Sequence, residues 1–171
     1  MYRNVDELLD LANIRAVLET YCRGIDRLDA ELISSVYWED ATDNHGIYVG
    51  PGKDFAAFIV PFLRDGYTST MHFIGQSNIR VEGDRAAGET YFLAYHTRNE
   101  GDGAALDIAA GRYVDGFAKR GGEWRIADRI IVMDWVDTRS GLQSGDIALG
   151  SFVLGSRDAS DPSYLSYGRL A

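Results

Sequence analysis

Three side chains of this sequence are suited to proton transfer. Tyr21 and Asp26 lie towards the end of an amphipathic segment, and His72 lies in a run with the pattern of a β-strand. An imidazole oriented by a carboxylate is a general base matched to neutral pH, and a phenol can donate a hydrogen bond to developing negative charge. The three residues therefore predict general-base chemistry, provided that the fold brings them together.

Periodicity predicts where these side chains point. On a strand, alternation places His72 on the same face as Gln76, a face that either lines a polar pocket or meets solvent. In a continuous helix, Tyr21 and Asp26 would point about 140° apart, because they are five residues apart. They can converge only if the helix ends near Gly24.

A fourth candidate, Arg129, lies in the last predicted strand. Strict alternation from the apolar Trp124 and Ile126 turns Arg129 to the outer face of the sheet unless a bulge intervenes. A surface position is therefore the first expectation for this side chain. His45, in a loop-like stretch, and His96, at the end of a strand, have no evident partner in the sequence.

The order of the predicted elements indicates the fold class. Apolar residues at helical spacing predict helices over residues 5–27, 29–36 and 53–63, with a possible edge strand that ends at residues 50–52. Four strands joined by glycine turns follow, over residues 68–82, 85–98, 106–119 and 123–136. Helices first and an antiparallel meander second predict an α+β domain, in which a curved sheet wraps onto the helices and leaves a pocket between them.

The chain is predicted to have two parts. Residues 1–136 form the single α+β domain, and residues 137–171 form a C-terminal extension of different composition. The extension contains glycine and serine, but Ile147, Leu149 and residues 152–154 are too apolar for a solvated linker. We expect it to cover the pocket or to dock on a neighbouring subunit, and a flexible tail is the alternative.

Composition and charge exclude several classes of function. A net charge of −9 and a pI of about 4.7 provide no basic face for nucleic acid or an anionic membrane. No apolar stretch approaches the ~18 residues of a membrane span, and the N-terminus lacks a signal-peptide pattern, so we expect a cytoplasmic protein. The three histidines show no metal-ligand spacing, and no nucleotide-binding or Gly-x-Ser-x-Gly motif is present. We expect neither a metal nor a cofactor.

Several short sequence segments resemble those of the SnoaL-like group of the nuclear-transport-factor-two-like superfamily. They lie at residues 14–21, at Asp26, and at residues 111–115, 121–126 and 157–164. The resemblance covers roughly residues 5–136 and implies a cone-shaped curved sheet around the N-terminal helices. The similar patterns are those of hexachlorocyclohexane dehydrochlorinase, bile-acid dehydratase and scytalone dehydratase.

The resemblance implies roles for four residues. Asp26 and His72 match the catalytic dyad of the family, in which the histidine removes a C–H proton and the aspartate holds the imidazole tautomer. Tyr21 matches a tyrosine of bile-acid dehydratase, where the dehydrochlorinase has lysine, and would donate to an oxyanion or a departing hydroxyl. Arg129 falls where the dehydrochlorinase has an arginine that assists the leaving group.

These roles predict a cofactor-independent lyase, of dehydratase or dehydrohalogenase type, that acts on a small, largely apolar cyclic substrate. A ketosteroid-isomerase-like isomerase or a polyketide cyclase is an alternative. A non-catalytic protein of the same fold, for small-molecule binding or for assembly, is another, because the superfamily includes small subunits of ring-hydroxylating dioxygenases.

Apolar side chains are expected to form the walls of the pocket, although each suits core packing equally well. The candidates for substrate binding are Trp38, Phe55, Phe58, Phe62, Met71, Phe92, Met133 and Trp135. The apolar extension and the exposed face of a curved sheet also predict a homo-oligomer. The resembled lyases imply a trimer, and a dimer is the alternative.

Overall fold

The computed structural model describes residues 4–142 and 152–168. Ile147 and Leu149, which belong to the predicted apolar extension, lie outside the described residues. None of the helices in the described ranges is both long and apolar enough to cross a membrane.

Three α-helices precede the long strands of the meander, with two short strands between the second helix and the third. Their bounds are α1 Val5–Arg27, α2 Ala30–Ser35 and α3 Phe55–Gly66. Helix α1 begins after Asn4, whose side chain accepts a hydrogen bond from the N–H of Glu7, and ends at Leu28, which adopts the left-handed conformation with φ 53°. The helical periodicity of the sequence therefore predicted α1 to the residue and the other two helices closely.

The strands form one sheet of six. Their bounds are β1 Tyr37–Asn44, β2 Val49–Pro51, β3 Ser69–Glu82, β4 Arg85–Glu100, β5 Gly103–Arg120 and β6 Glu123–Leu142. The order across the sheet is β2-β1-β6-β5-β4-β3. The predicted meander is β3 to β6, but the sheet is mixed rather than wholly antiparallel, because β1 pairs with β6 in parallel. The α+β class with a curved sheet is confirmed.

The helices pack on the inner face of the sheet. Helix α1 contacts β3 and β6, and its apolar face buries Ile14, Leu18 and Ile25 completely or nearly so. Full burial of one such side chain stabilises the fold by about 1.5–3 kcal/mol. This packing holds α1 across the sheet, and its last turns lie beside β3.

A bulge in β6 brings Arg129 to the inner face. Ile126 pairs with Phe117 and Asp128 pairs with Gly116, so one extra residue of β6 lies between these pairs. The alternation is reset there, and Arg129 is buried like Ile126. The expectation of a surface Arg129 from strict alternation is therefore wrong.

A second bulge, in β3, changes the predicted pocket face. The pairs Ile74–Phe92 and Ser77–Thr90 leave one extra residue in β3. His72 remains on the inner side, whereas Gln76 is exposed on the outer side. The prediction that Gln76 shares the face of His72 is wrong for this reason.

The predicted extension from residue 137 divides in two: residues 137–142 continue β6, and residues 152–168 lie against the helices. It includes a short helix, α4 Pro162–Gly168. Arg157 donates to the carbonyl oxygens of Leu63 and Tyr67 at the end of α3, and Tyr164 donates to Asp29. Asp137 and Thr138 line a cavity between the helices and the sheet, whereas none of residues 152–168 does. A role for the whole extension as a cover or an intersubunit contact stays a prediction.

Candidate active site

A cavity of about 320 Å³ lies between the helices and the inner face of the sheet. Its wall is largely apolar and aromatic, with contributions from α1, α3 and β3 to β6. The aromatic residues are Tyr21, Phe55, Phe62, Tyr67, Phe92 and Tyr113, and all three histidines of the chain also line it. Among the described residues, the charged ones on the wall are the carboxylates Asp107 and Asp137, and no lysine or arginine joins them.

Asp26 and His72 form a hydrogen-bonded pair at this cavity. One carboxylate oxygen of Asp26 lies 2.7 Å from Nδ1 of His72, and the other accepts the backbone N–H of His72 at 2.9 Å. Because an ionised carboxylate only accepts, Nδ1 carries the proton and Nε2 has a free lone pair. Nε2 makes no hydrogen bond to any residue that the structure describes, and His72 lines the cavity while Asp26 stands behind it.

Helix α1 does not break between Tyr21 and Asp26. It continues through Gly24, where an added Cβ would lie 2.9 Å from the side chain of Ile33. Gly24 therefore allows α2 to pack closely on α1. The condition for convergence, a helix end near Gly24, is therefore not met, and Tyr21 and Asp26 contact different histidines.

Tyr21 belongs to a second group that the sequence did not reveal. Its hydroxyl lies 3.0 Å from Nε2 of His45, and Nδ1 of His45 forms a short hydrogen bond with Asp43. The other oxygen of Asp43 accepts the hydroxyl of Tyr37 at 2.5 Å. The signal in the sequence was the Asp-x-His spacing of Asp43 and His45, which puts both side chains on one side of an extended segment.

Burial decides the protonation of this second group. It raises the pKa of Tyr21 well above its ordinary value, although the nearby Arg129 opposes the shift, so the phenol keeps its proton. Burial also lowers the pKa of His45, against the opposing effect of Asp43. A neutral His45 that donates Nδ1–H to Asp43 then accepts the hydroxyl proton of Tyr21 at Nε2.

Arg129 lies behind the cavity. It donates to both oxygens of Asp115 at 2.7 and 2.8 Å, and its guanidinium lies 4.3 Å from the ring centroids of both Tyr21 and Tyr113. Nη1 of Arg129 is buried without a hydrogen-bond partner among the described residues. Arg129 does not line the cavity, whereas Tyr21 and Tyr113 do, so the positive charge of Arg129 acts on a bound molecule across these two rings.

His96 is the third imidazole on the wall. It meets His72 edge to face, with 5.4 Å between the ring centroids. Burial, assisted by the charge of His72, lowers the pKa of His96 to about 4. His96 is therefore neutral at neutral pH. It does not end its strand as expected, because β4 continues to Glu100.

Four of the predicted substrate-binding residues line the cavity: Phe55, Phe62, Phe92 and Met133. The other four do not line it in the described structure. Trp38 donates its indole N–H to the carbonyl of Ala118 and lies beneath two arginines. Phe58 packs between Tyr48 and Phe62.

The remaining two, Met71 and Trp135, are 56% and 52% exposed. Met71 points outward because its neighbour His72 points inward. Sequence reasoning missed the small residues that leave room for the cavity, which include Ala94 and Ala109. It also missed the polar Asp107 and Thr138.

Among the described residues, no group of three or more His, Cys, Asp or Glu side chains is arranged to hold a metal ion. His72 and His45 each direct one ring nitrogen to an aspartate.

Comparison with known proteins places this geometry in context. The family model of the SnoaL-like domain matches residues 6–130. A type 2 hexachlorocyclohexane dehydrochlorinase is similar in structure, with a TM-score of 0.74 and 21% identity over 84% of this chain and 98% of that chain. The type 3 enzyme from Novosphingobium barchaimii LL02 has a TM-score of 0.73 and 20% identity, over 84% of this chain and 99% of that chain.

A third similar structure comes from Novosphingobium aromaticivorans DSM 12444 and carries the name of a scytalone dehydratase, an assignment made without a demonstrated activity in that name. It has a TM-score of 0.68 and 18% identity, over 82% of this chain and 95% of that chain. No curated protein matches this chain. At these identities, the likeness to solved structures establishes the fold.

Proposed function

Because the chain belongs to the SnoaL-like domain family, and because its cavity holds an imidazole oriented by a carboxylate, we propose that it is a cofactor-independent lyase of dehydratase or dehydrohalogenase type. The observation that carries the proposal is the contact of 2.7 Å between Asp26 and Nδ1 of His72, with Nε2 left free at the cavity. Similar structures named as a dehydrochlorinase and as a scytalone dehydratase support the reaction class.

His72 is the proposed base. Its Nε2 takes a proton from a carbon of the substrate, and the electron pair of that C–H bond forms a double bond as the leaving group departs. Asp26 keeps the proton on Nδ1 and stabilises the imidazolium that forms. General-base catalysis of this kind contributes about 10²–10⁴-fold to the rate.

Tyr21 is the proposed hydrogen-bond donor to a departing hydroxyl group. It lines the cavity and keeps its proton, since burial raises the pKa of its phenol. The guanidinium of Arg129 lies against the Tyr21 ring and favours negative charge that develops on its oxygen. Loss of one such donor typically lowers the rate by about 10²–10³-fold.

The cavity favours a small neutral substrate. Its volume of about 320 Å³ is at the lower end for ligand pockets, which span roughly 300–1,000 Å³. Its apolar walls suit a ring or a short apolar chain. A substrate that carries a carboxylate or phosphate is disfavoured, because the described lining holds no lysine or arginine to bind it, and the arginines nearest to the lining carboxylates, Arg98 and Arg139, are already paired with Asp107 and Asp137.

An isomerase is the second candidate, and the cluster of imidazoles supports it. His45 and His96 line the same cavity as His72, so a proton taken at one carbon could be returned at another. Both reactions need the same base, and only the leaving group separates them.

The test compares wild type with His72→Ala and Asp26→Asn on hydroxylated and halogenated cyclic compounds, with products followed by mass. A loss of 18 Da that only the wild type produces supports a dehydratase, and loss of HCl supports a dehydrohalogenase. A rearranged product of unchanged mass would identify an isomerase. Equal inertness of all three proteins, with equal binding of the compounds, would reject catalysis in favour of a binding protein.

We also propose that the chain forms a homo-oligomer, with a trimer favoured over a dimer. Support comes from large apolar side chains that stay exposed on the sheet, Phe73 at 61% among them. Light scattering tests this, because a mass of 18.9 kDa would show a monomer.

A further inference from the structure

A second aspartate–histidine pair, Asp43 and His45, adjoins the cavity and has no part in the proton abstraction by His72. Asp43 is buried, and it binds Nδ1 of His45 through one oxygen and the hydroxyl of Tyr37 through the other. His45 lines the cavity, and its side chain is 16% exposed. Its Nε2 contacts the hydroxyl of Tyr21 at 3.0 Å. A continuous chain of hydrogen bonds therefore runs from Asp43 through His45 to Tyr21 at the cavity wall.

The positions of the protons determine the direction of each hydrogen bond between Asp43, His45 and Tyr21. Asp43 accepts from Tyr37 and from Nδ1–H of His45, so the state of Nε2 sets the direction of the last bond. When His45 is neutral, Tyr21 donates to Nε2 and offers only its oxygen lone pairs to the cavity. Burial lowers the pKa of His45, so this neutral state is the resting one at neutral pH. When a proton binds Nε2, Nε2–H donates to the oxygen of Tyr21, and the hydroxyl hydrogen of Tyr21 is free for a ligand.

We propose that His45 and Asp43 form a proton relay, which acts through Tyr21 to protonate an oxygen leaving group. This inference rests on the lyase function proposed above and deepens it, because it identifies the acid that partners the base His72. His45 is a positioning and relay residue, and Tyr21 is the group that touches the substrate.

The relay step balances in protons and electrons. Nε2 of His72 takes the C–H proton, the C–H electron pair forms the C=C bond, and the C–O bond breaks with its electrons on oxygen. Tyr21 gives its proton to that oxygen, which leaves as water, and the Nε2 proton of His45 passes to Tyr21. His45 ends neutral with Tyr21 donating to it. The proton held on His72 returns to His45 through solvent water before the next turnover.

The relay predicts a dependence on the leaving group. A hydroxyl group must be protonated as it departs, whereas a chloride ion leaves without a proton. The experiment therefore uses a matched pair of cyclic ketones, 3-hydroxycyclohexanone and 3-chlorocyclohexanone, which give the same unsaturated ketone. The variants are His45→Gln and Tyr21→Phe, and His72→Ala is included to report on the base. Glutamine can keep both hydrogen bonds of His45 but cannot carry a proton between them.

We expect His45→Gln to lower kcat/KM about 10²-fold or more on the hydroxy ketone and less than about threefold on the chloro ketone. Tyr21→Phe should show the same selectivity, and His72→Ala should be inactive on both after the spontaneous rate is subtracted. A Tyr37→Phe variant is the matched control. It removes a hydrogen bond to Asp43 but leaves the relay intact, so any effect should be equal on the two ketones.

The pH dependence is a second readout. The groups that face His45 are Asp43 on β1, Tyr21 on α1, Arg129 on β6 and His72 on β3. Because burial lowers the pKa of His45, wild type should lose activity on the hydroxy ketone as the pH rises through the acidic range, below the ordinary histidine pKa of about 6.5. His45→Gln should lack that decline, and the decline should also be absent for wild type on the chloro ketone.

Two results would overturn the inference, and they are distinguishable. Equal losses on the two ketones in His45→Gln would reject the relay and leave the lyase function standing, since they indicate a structural role. Wild type that binds both ketones but eliminates neither group would reject the lyase function, and the relay with it.

Discussion

Asp26→Asn tests how the Asp26–His72 pair works. The two oxygens of Asp26 accept two hydrogens, one from Nδ1 of His72 at 2.7 Å and one from its backbone N–H at 2.9 Å. Asparagine has one acceptor oxygen and one NH₂ donor. The backbone N–H cannot move its hydrogen, so the amide oxygen must stay opposite it and the NH₂ group must face Nδ1.

This arrangement forces His72 into the other tautomer. Nδ1 must give up its hydrogen to accept from the NH₂ group, and the hydrogen moves to Nε2, the nitrogen at the cavity. A protonated Nε2 cannot take a proton from carbon. We expect kcat to fall about 10³–10⁴-fold, which corresponds to about 4–5.5 kcal/mol of transition-state stabilisation. Stability should change little, because both hydrogen bonds are remade.

The assay combines steady-state kinetics of the elimination with nitrogen NMR spectra that report the tautomer of His72. Asp29→Asn is the matched control, since Asp29 is a nearby carboxylate that caps α2 and asparagine caps helices equally well. If Asp26→Asn kept more than about a tenth of the wild-type kcat, or if its spectrum still showed hydrogen on Nδ1, the reasoning would be refuted.

Three further predictions concern stability. Asp115→Asn should lower the free energy of unfolding by about 3–5 kcal/mol, because the buried Arg129 loses its counter-charge; an unchanged denaturant midpoint would contradict this. Gly111→Ala should cost about 3 kcal/mol, because its Cβ would overlap the carbonyl oxygen of Val132, and a wild-type melting temperature would argue against it. His96→Asn should flatten the loss of stability on acidification, because unfolded His96 binds a proton near pH 6.5 and folded His96 only at about 4.

The sign and size of the His96 effect follow from linkage. The stability that neutral His96 contributes is complete above pH 6.5 and is lost as the pH falls towards 4. The variant should therefore lose roughly 3 kcal/mol less than wild type over that interval, measured by urea unfolding at each pH. Parallel curves for the two proteins would contradict this prediction.

Matched controls separate these effects from general damage. Asp134→Asn removes one of the two carboxylate partners of the partly exposed Arg112, the other being Glu89, and should cost less than about 1 kcal/mol, unlike Asp115→Asn. Gly75→Ala, also in a strand, adds a Cβ that meets no atom closer than 3.8 Å and should be nearly neutral. A cost equal to that of Gly111→Ala would show that any strand glycine is sensitive.

Local patterns in the sequence determined the helices and the meander. The apolar spacing in α1 predicted Val5–Arg27, and the glycine turns predicted the boundaries of β3 to β6 within a few residues, apart from the longer end of β6. Both signals repeat over a few residues, so they can be recognised in the sequence without any knowledge of the tertiary contacts. The segments that resemble the SnoaL-like group predicted the family, and the match over residues 6–130 confirms it.

The sequence also supplied Asp26 and His72 as candidates, but only the tertiary structure decided that they touch, across 46 positions of chain. It equally decided that Tyr21 pairs with His45, because an unbroken α1 turns Tyr21 away from Asp26. Contacts of this kind depend on how α1 lies across the sheet, and no local period encodes that.

The two bulges separate local from tertiary information most clearly. Alternation alone turned Arg129 outward, and one extra residue in β6 turns it inward against Asp115. A bulge is a property of the pairing between two strands, because it exists only where one strand has a residue that its neighbour does not match. The sequence of one strand shows that its side chains alternate between the two faces of the sheet. Pairing with the neighbouring strand decides where a bulge shifts that alternation by one residue.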